Sequence, residues 1–582
     1  MVQRVLSLAL LTAILALASV SAQEPPTADE PPEVVGGLAF IDEVELTVVN
    51  IDVFVTDNSG QPVTDLVMDD FLVLQDGGQR QLSHFALYTE EVISRIVRNA
   101  EDASMAVPIP TPEAPAAEPV TTLRPDVKPV YIVLFIDNEN LRPMDRNRVL
   151  GQIRRFLGEV MYPHVQVMVV TYQRSLKVEQ PFTNNSKEIS DVLRAVRGTN
   201  ATRGTQDTER KKILREFAAL QQQGSKGTEQ DRMELEGRIR SYADVIENEL
   251  DFALNAVREI TATLSGLEGR KYFFHISSGL PMVPAKDLLY QLGTTFQQTS
   301  TLAMESRLNH RRHYRALASA ANSQGVTFYT IDASGMGGAG DSISAEYAGA
   351  TDPITAGLYV INQQEPLQYI ADRTGGRAIL GVNDVTFGLE QFRQDLFSYY
   401  SLGYTISGSG TDKIHRLEVQ LPEYPGYKLN YRRNFVEKSL ESKVQDRVLS
   451  GLTFDLDDNP MAVVVDTGSA SPAADQRSIL PIEIGFPYDS IALVPEGEDF
   501  VGRVVVFVAV RDEKGRQSDL QRRDHEIRIP QSDLEAHHSD RYVIELPLLM
   551  RPGSVRIVVG VMDRLTRQTS YSTIHRAVSS NG

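Results

Sequence analysis

From Val44 to Thr56 apolar and polar residues alternate with the two-residue period of a half-buried strand, and Asp57-Asn58-Ser59-Gly60 supplies a turn. Residues 71–74 repeat the pattern, closed by Asp76-Gly77-Gly78. Together they predict a small β module over residues 41–95, followed by a Pro- and Ala-rich linker at 96–127. After Pro129 the period changes. Residues 130–136 are an unbroken apolar run, as in a central parallel strand covered on both faces. Asp137 follows, then a helical stripe of Val149, Ile153, Phe156 and Val160. Strand-like runs recur at 165–172, 272–276 and 326–331, with helical ones at 192–196, 314–321 and 367–371. This alternation predicts a doubly wound α/β domain over residues 128–435, closed by strands at 399–407, 417–421 and 427–431.

Two stretches depart from that rhythm. Residues 206–265 are charged and helix-favouring and read as a helical hairpin inserted into the domain, dispensable for folding because surface insertions add loop entropy only slowly. Within it Arg210-Lys211-Lys212, with Asp207, Glu209 and Glu216 close by, reads as a solvated helix face. A tether at 436–452 leads to residues 453–582, where apolar positions alternate at 482–486, 504–510, 542–546 and 555–559. That part predicts an immunoglobulin- or fibronectin-like β-sandwich.

The beginning of the chain changes the picture of where it works. Arg4, the apolar stretch from Val5 to Ala18 and the small residues Val20-Ser21-Ala22 form a secretory signal, with cleavage expected between Ala22 and Gln23 and a flexible lead-in at 23–40. A periplasmic or secreted protein without a membrane span is therefore expected. The chain has no cysteine, which excludes disulfides, thiolate metal sites and a thiol nucleophile. Its formal charge of −19 disfavours nucleic acid and anionic membrane surfaces as partners.

Two sets of residues then converge. One is Val55-Thr56-Asp57, Gly60, Pro62-Val63, Leu66, Asp70-Phe71, Asp76-Gly77, Gln81 and Phe85; the other is Ile370-Ala371, Thr374-Gly375-Gly376-Arg377, Asn383-Asp384, Tyr399-Tyr400 and Leu402-Gly403-Tyr404. Over residues 44–435 the chain resembles the VWFA-related domain family of acidobacterial type, a branch of the von Willebrand factor A (VWA) superfamily. The resemblance implies a six-stranded, mostly parallel sheet with its functional face at the carboxyl ends of the strands, where open α/β sheets bind ligands. It also implies a metal-ion-dependent adhesion site: Asp-x-Ser-x-Ser after the first strand, a loop Thr and a later Asp, holding Mg²⁺ through hard oxygens.

Mapped onto that pattern, Asp137 matches the first Asp, but Glu139 and Leu141 stand at the serine positions. Thr199 or Thr202 fits the loop Thr, and Ser278 replaces the later Asp. Two readings stand. Either Asp137 and Glu139, helped by Asn138 or Asn140 and the loop Thr, hold Mg²⁺ or Mn²⁺ in a rebuilt site, or no metal binds and Asp137 caps the following helix; the second is preferred. Ser277 and Asp332 complete the ligand face.

Other motifs read more plainly. The glycine-rich stretch from Asp332 to Gly340 lacks the ending of a phosphate loop and reads as a surface loop. His310 and His313 flank Arg311 and Arg312, have no acid nearby in sequence, and read as a solvated helix face. Asp455, Asp457, Asp458 and Asn459 lack the glycine and distal glutamate of a calcium loop. His275 lies inside a strand and no Gly-x-Ser-x-Gly elbow exists, so catalysis is not expected. The expected function is protein–protein interaction or adhesion through the strand-end face with an unidentified protein partner, without a cofactor. The alternative is a structural or assembly component acting through its β domains.

Overall fold

The computed structural model describes residues 46–96, 128–201, 203–222, 228–297, 300–336, 353–407, 410–456, 458–474, 477–532 and 540–578. The signal, its junction at Ala22 and Gln23, the linker at 97–127, Thr202, Asp457 and residues 337–340 lie outside them. The chain is mixed α/β. Leu46–Thr56 (β1), Leu72–Gln75 (β2), Gly78–Arg80 (β3) and His84–Tyr88 (β4) come first. A six-stranded sheet follows, built from Val130–Asp137 (β5), Val165–Gln173 (β6), Ser175–Thr183 (β7), Arg270–Ser277 (β8), Val326–Asp332 (β9) and Ala378–Ile379 (β10) in the order β10-β9-β8-β5-β6-β7. All neighbours are parallel except β7, which runs back along β6.

The unbroken apolar run of β5 has its explanation in two cores. Val133 and Phe135 point into one, and Ile132, Leu134 and Ile136 into the other. Pro143–Val160 (α1), Ser186–Val196 (α2) and Thr386–Phe397 cover the second face. Over the first face lie Arg203–Gln222 (α3), Glu229–Thr263 (α4), Lys286–Phe296 (α5), Arg311–Ser323 (α7, after the short α6 at Ser300–Arg307) and Pro353–Thr374 (α8). Here the structure corrects the expected insertion. Leu235, Ile239, Leu250, Leu254, Val257 and Ile260 of α4, with Phe217 of α3, pack on Val133, Phe135, Met168 and Phe273 of the sheet. Most of the charges that suggested an excursion, such as Glu234, Arg240 and Asp244, sit on the outer side of the same helices.

A second difference concerns the strands after Thr386–Phe397 (α9). Tyr399–Ser407 (β11), Ile414–Gln420 (β12), Lys428–Asn430 (β13) and Asn434–Val436 (β14) do not extend the six-stranded sheet, as their position in the chain suggested. Instead β1 lies between β11 and β13, β4 pairs β11, and β12 pairs both β2 and β14. Tyr400, Leu402 and Tyr404 share one core with Val49, Ile51, Val53 and Phe71. Tyr399, on the other side of β11, stacks on Tyr88 at 4.9 Å and carries the Arg270 guanidinium over its ring at 3.9 Å. The Thr-Gly-Gly motif is steric: Gly375 sits at φ +79°, and a Cβ on Gly376 would collide with the Phe328 carbonyl.

Beyond Leu440–Gly451 (α10), two antiparallel sheets share one apolar core. Val504, Val506 and Val508 point into that core, while Val505, Phe507 and Ala509 on the same strand pack under Val444 and Val448 of α10. The Ser450 hydroxyl donates to the Thr263 carbonyl (2.7 Å) and accepts from Gly266 N–H (2.9 Å), fastening α10 to the end of α4. No helix among the described residues is long and apolar enough to cross a membrane.

Candidate functional site at the strand ends

In chain order the sheet grows from β5 outward to β6 and β7, then returns through β8 on the other side, so the strand order reverses between β5 and β8. Asp137 ends β5, and Ser277 and Ser278 end β8. The Asp137 carboxylate is fully buried and accepts from Asn140 N–H (3.2 Å), Asn140 Nδ2 (2.9 Å) and Ser277 Oγ (3.1 Å), at the start of the short turn 138–140. Asp332 ends β9 beside Ser277 and accepts from Ser334 N–H (2.9 Å) and Gln364 Nε2 (2.7 Å). The chain turns away at Gly279 with φ +98°, where a Cβ would press on Gln363. Asp137, Asn138, Glu139, Asn140, Ser277, Ser278 and Asp332 are thus brought to one end of the sheet, and all are buried.

What fills that end was not anticipated. Arg146, in the first turns of α1, is wholly buried, and each of its five N–H donors has an acceptor. Nη1 reaches Asn138 Oδ1 (2.9 Å) and Thr199 Oγ1 (3.1 Å), Nη2 the carbonyls of Arg197 and Thr199 (both 2.9 Å), and Nε Asn147 Oδ1 (3.2 Å). Burial lowers its pKa, but a guanidinium remains charged. The hydroxyl of Thr199, the loop oxygen proposed for a metal, is already held by this cation. Thr199 Oγ1 also donates to the Val196 carbonyl (2.8 Å).

A second buried guanidinium, Arg203, donates to the carbonyls of Ser278 (3.0 Å) and Asn140 (3.3 Å) and to Tyr359 Oη (2.8 Å). Burial opposes its charge, but Tyr359 and Asp207 outweigh that and raise its pKa. Arg210 is buried as well, correcting the solvated face expected for it. It bonds Asp287 Oδ2 (2.8 Å from Nε) and lies over the Tyr359 ring at 3.9 Å. Both arginines line a cleft with Arg142, Lys211, Asp207 and Ser278, and the Ser278 hydroxyl is buried there with no hydrogen-bond partner among the described residues. Opposite, burial and the nearby Asp137, Glu139 and Glu249 charges push Tyr172 up to about 12, and burial together with Glu139 raises Glu249. The sequence held a signal for two of these cations. Arg146 shares a helix face with Val149 and Ile153, and Arg210 with Ile213 and Phe217, so each interrupts an apolar stripe.

Other candidates separate from this site. His275 is buried within β8, with Nε2 3.8 Å from Asp137 Oδ2, while the Ser277 hydroxyl is spent on the same carboxylate. Asp455 pairs with Arg556 (2.8 Å), and Asn459 Oδ1 accepts from Val463 N–H (2.8 Å). His310 is buried rather than solvated.

No family model matches the chain, and no curated relative matches it. Among solved structures, it is similar to the three N-terminal domains of the type V pili tip protein Mfa5 from Porphyromonas gingivalis at 11% identity and TM-score 0.25, covering 76% of this chain and 75% of that one. Similarity to the pilus adhesin SpaC from Lactobacillus rhamnosus GG is 8% identity and TM-score 0.24, over 78% and 53% of the two chains. An aerotolerance-related membrane protein from Bacteroides fragilis gives 13% and 0.23, over 46% and 98%. Likeness at these scores carries no weight for fold or activity, which have to be read from the chain's own residues.

Proposed function

We propose that this is an exported, non-catalytic VWA-type binding protein of the VWFA-related family, whose degenerate adhesion site carries guanidinium groups in place of a metal ion. The observation that carries this reading is Arg146, whose fork takes Asn138 and Thr199, the oxygens a Mg²⁺ ion would need. Its support is the match of motifs over 44–435, the six-stranded sheet with helices on both faces, and the reversal of strand order at Asp137. On this reading the domain is doubly wound, the C-terminal sheets are an immunoglobulin- or fibronectin-like sandwich, and the protein works in the periplasm or outside the cell. A partner contacts the cleft at Arg203 and Lys211 through carboxylates or carbonyls, the acceptors that guanidinium and ammonium groups recognise. On this reading the serines are not nucleophiles: Ser277 donates to Asp137, and among the described residues the Ser278 hydroxyl has no base within hydrogen-bond reach.

Capture of the partner from envelope extracts tests it. Binding should be lost in Lys211→Glu and indifferent to added Mg²⁺ or Mn²⁺, and calorimetry should show neither ion binding tighter than about 1 mM. Micromolar Mg²⁺ binding that vanishes in Asp137→Ala would restore the metal-bridged mechanism. A second reading, assembly through the C-terminal sheets, is favoured by Ile479, Val543 and Leu549, which are exposed on two paired strands. Capture that survives Lys211→Glu but fails in Val543→Asp/Leu549→Asp would select it.

A further inference from the structure

We propose that Asp251, His310 and His313, with Glu247 beside them, bind a borderline transition-metal ion of the Zn²⁺ class, at a place remote in the chain from Asp137. In sequence the two histidines have no acid near them. The fold supplies it: Glu247 and Asp251 lie one turn apart on one face of α4, against the start of α7. One ligand atom from each of Asp251, His310 and His313 lies within 4.8 Å of the others. The imidazole rings of the two histidines are 5.0 Å apart, centre to centre.

The hydrogen bonding of His310 is the decisive feature. Its Nδ1 lies 2.7 Å from the Leu308 carbonyl, and a carbonyl only accepts, so Nδ1 carries the proton. In the neutral ring Nε2 is then a bare lone pair. It faces two more acceptors, Glu247 Oε1 at 3.7 Å and Asp251 Oδ1 at 3.8 Å. The Nε2 lone pair and the two carboxylates thus offer three acceptors at one place, the donor set a metal ion takes. The Nδ1–H to carbonyl bond is the arrangement that orients a metal-bound imidazole. Donors around a tetrahedral Zn²⁺ stand about 3.4 Å apart at ordinary Zn–N and Zn–O lengths, so the His310–Asp251 pair at 3.8 Å is close to that spacing, and the exposed His313 ring closes the rest by side-chain rotation. Two imidazoles with carboxylate suit Zn²⁺, Co²⁺, Ni²⁺ or Cu²⁺ better than Mg²⁺ or Ca²⁺. Arg307 approaches the other Glu247 oxygen at 3.8 Å, which leaves Asp251 as the main carboxylate for the imidazoles. His310 is almost wholly buried whereas His313 and Asp251 are exposed, so a fourth position opens to solvent. An ion there would pin the start of α7 to the middle of α4.

Zn²⁺ titration of the purified chain by calorimetry tests the site. A single ion is expected at micromolar affinity or tighter, and Co²⁺ should give the visible absorption of a tetrahedral site. His313→Ala and Asp251→Asn alter exposed side chains and should leave the fold intact while weakening Zn²⁺ binding about tenfold or more, with loss of the Co²⁺ bands. Absence of Zn²⁺ binding tighter than about 1 mM, or undiminished binding in the His313→Ala/Asp251→Asn double variant, overturns the proposal.

Discussion

A buried arginine is costly unless every donor is used, and Arg146 uses all five on neutral oxygens. Removing it takes the donor from the buried Asn138 Oδ1 and loosens the Arg197–Thr199 loop, whose two carbonyls it also holds. Arg146→Ala should therefore cost at least about 3 kcal/mol in urea unfolding, since each unmet buried group is worth about 1–3 kcal/mol. Arg146→Lys should rescue little, because a point charge cannot replace a planar fork. Near-parental stability of both variants would show that the strand-end loops do not depend on this cation. Lys271 presents the opposite case. Burial, with the charge of Lys438 nearby, holds its pKa down to about 8, and its Nζ donates to the Leu267 carbonyl (2.8 Å). The folded chain gives up that proton near pH 8, whereas an exposed lysine keeps it to 10.5. Across that window the unfolded chain binds more protons, so stability from this site grows with pH, and the full penalty, roughly 3 kcal/mol, applies below about pH 8. The difference in unfolding free energy between Lys271→Met and the parent should favour the variant most near pH 7 and shrink towards pH 10. A difference independent of pH would mean that the ammonium reaches water.

At the scale of elements, periodicity was informative where burial is two-sided or strictly alternating. β5 falls where an unbroken apolar run stands, β6, β8 and β9 where mainly apolar, strand-like runs stand, and the alternating runs near 504 and 555 are strands. On α4 it found the helix but not the face it buries, because a helix that covers a sheet with one stripe can be charged on all its other sides. Leu235, Ile239, Leu250, Leu254 and Val257 carry that stripe, diluted by the Glu and Arg residues between them. Leu254→Ala should cost about 2–5 kcal/mol as a buried leucine truncation. Replacing residues 208–264 by a Gly/Ser linker should give aggregated protein, since Phe135, Met168 and Phe273 would face water. A soluble, cooperatively melting deletion would restore the view of this segment as an ornament. The strand-end site was half legible for a related reason. Asp137, Ser278 and Asp332 end strands and could be placed by counting, whereas Arg203, between Thr199 and the charged segment, had no local pattern to betray its burial. His310 needed an acid from α4 that only tertiary packing supplies.

For the molecule as a whole, the pairing of β1 is what local pattern could not reveal, because a strand's periodicity says which face is buried and nothing about which strand lies beside it. Residues 46–53 pair with β11 and residues 54–56 with β13, so β1 finds its partners in strands made after the whole six-stranded sheet. The N-terminal strands β2, β3 and β4 share only a small core without Tyr400, Leu402, Tyr404, Leu417 and Val419. Two consequences follow for folding. The loop-closure cost is that of a connection spanning an entire α/β domain, which makes the module a late contributor. While it waits, β1 exposes two unpaired edges, a known route to aggregation. A fragment of residues 23–127 should therefore lack β structure by circular dichroism and give a collapsed amide spectrum. A chain ending at 398 should show the same loss confined to the first module while the six-stranded sheet melts cooperatively. A dispersed spectrum from the 23–127 fragment alone would show instead that β1 to β4 form a stable unit, and that β11 to β14 merely dock onto it.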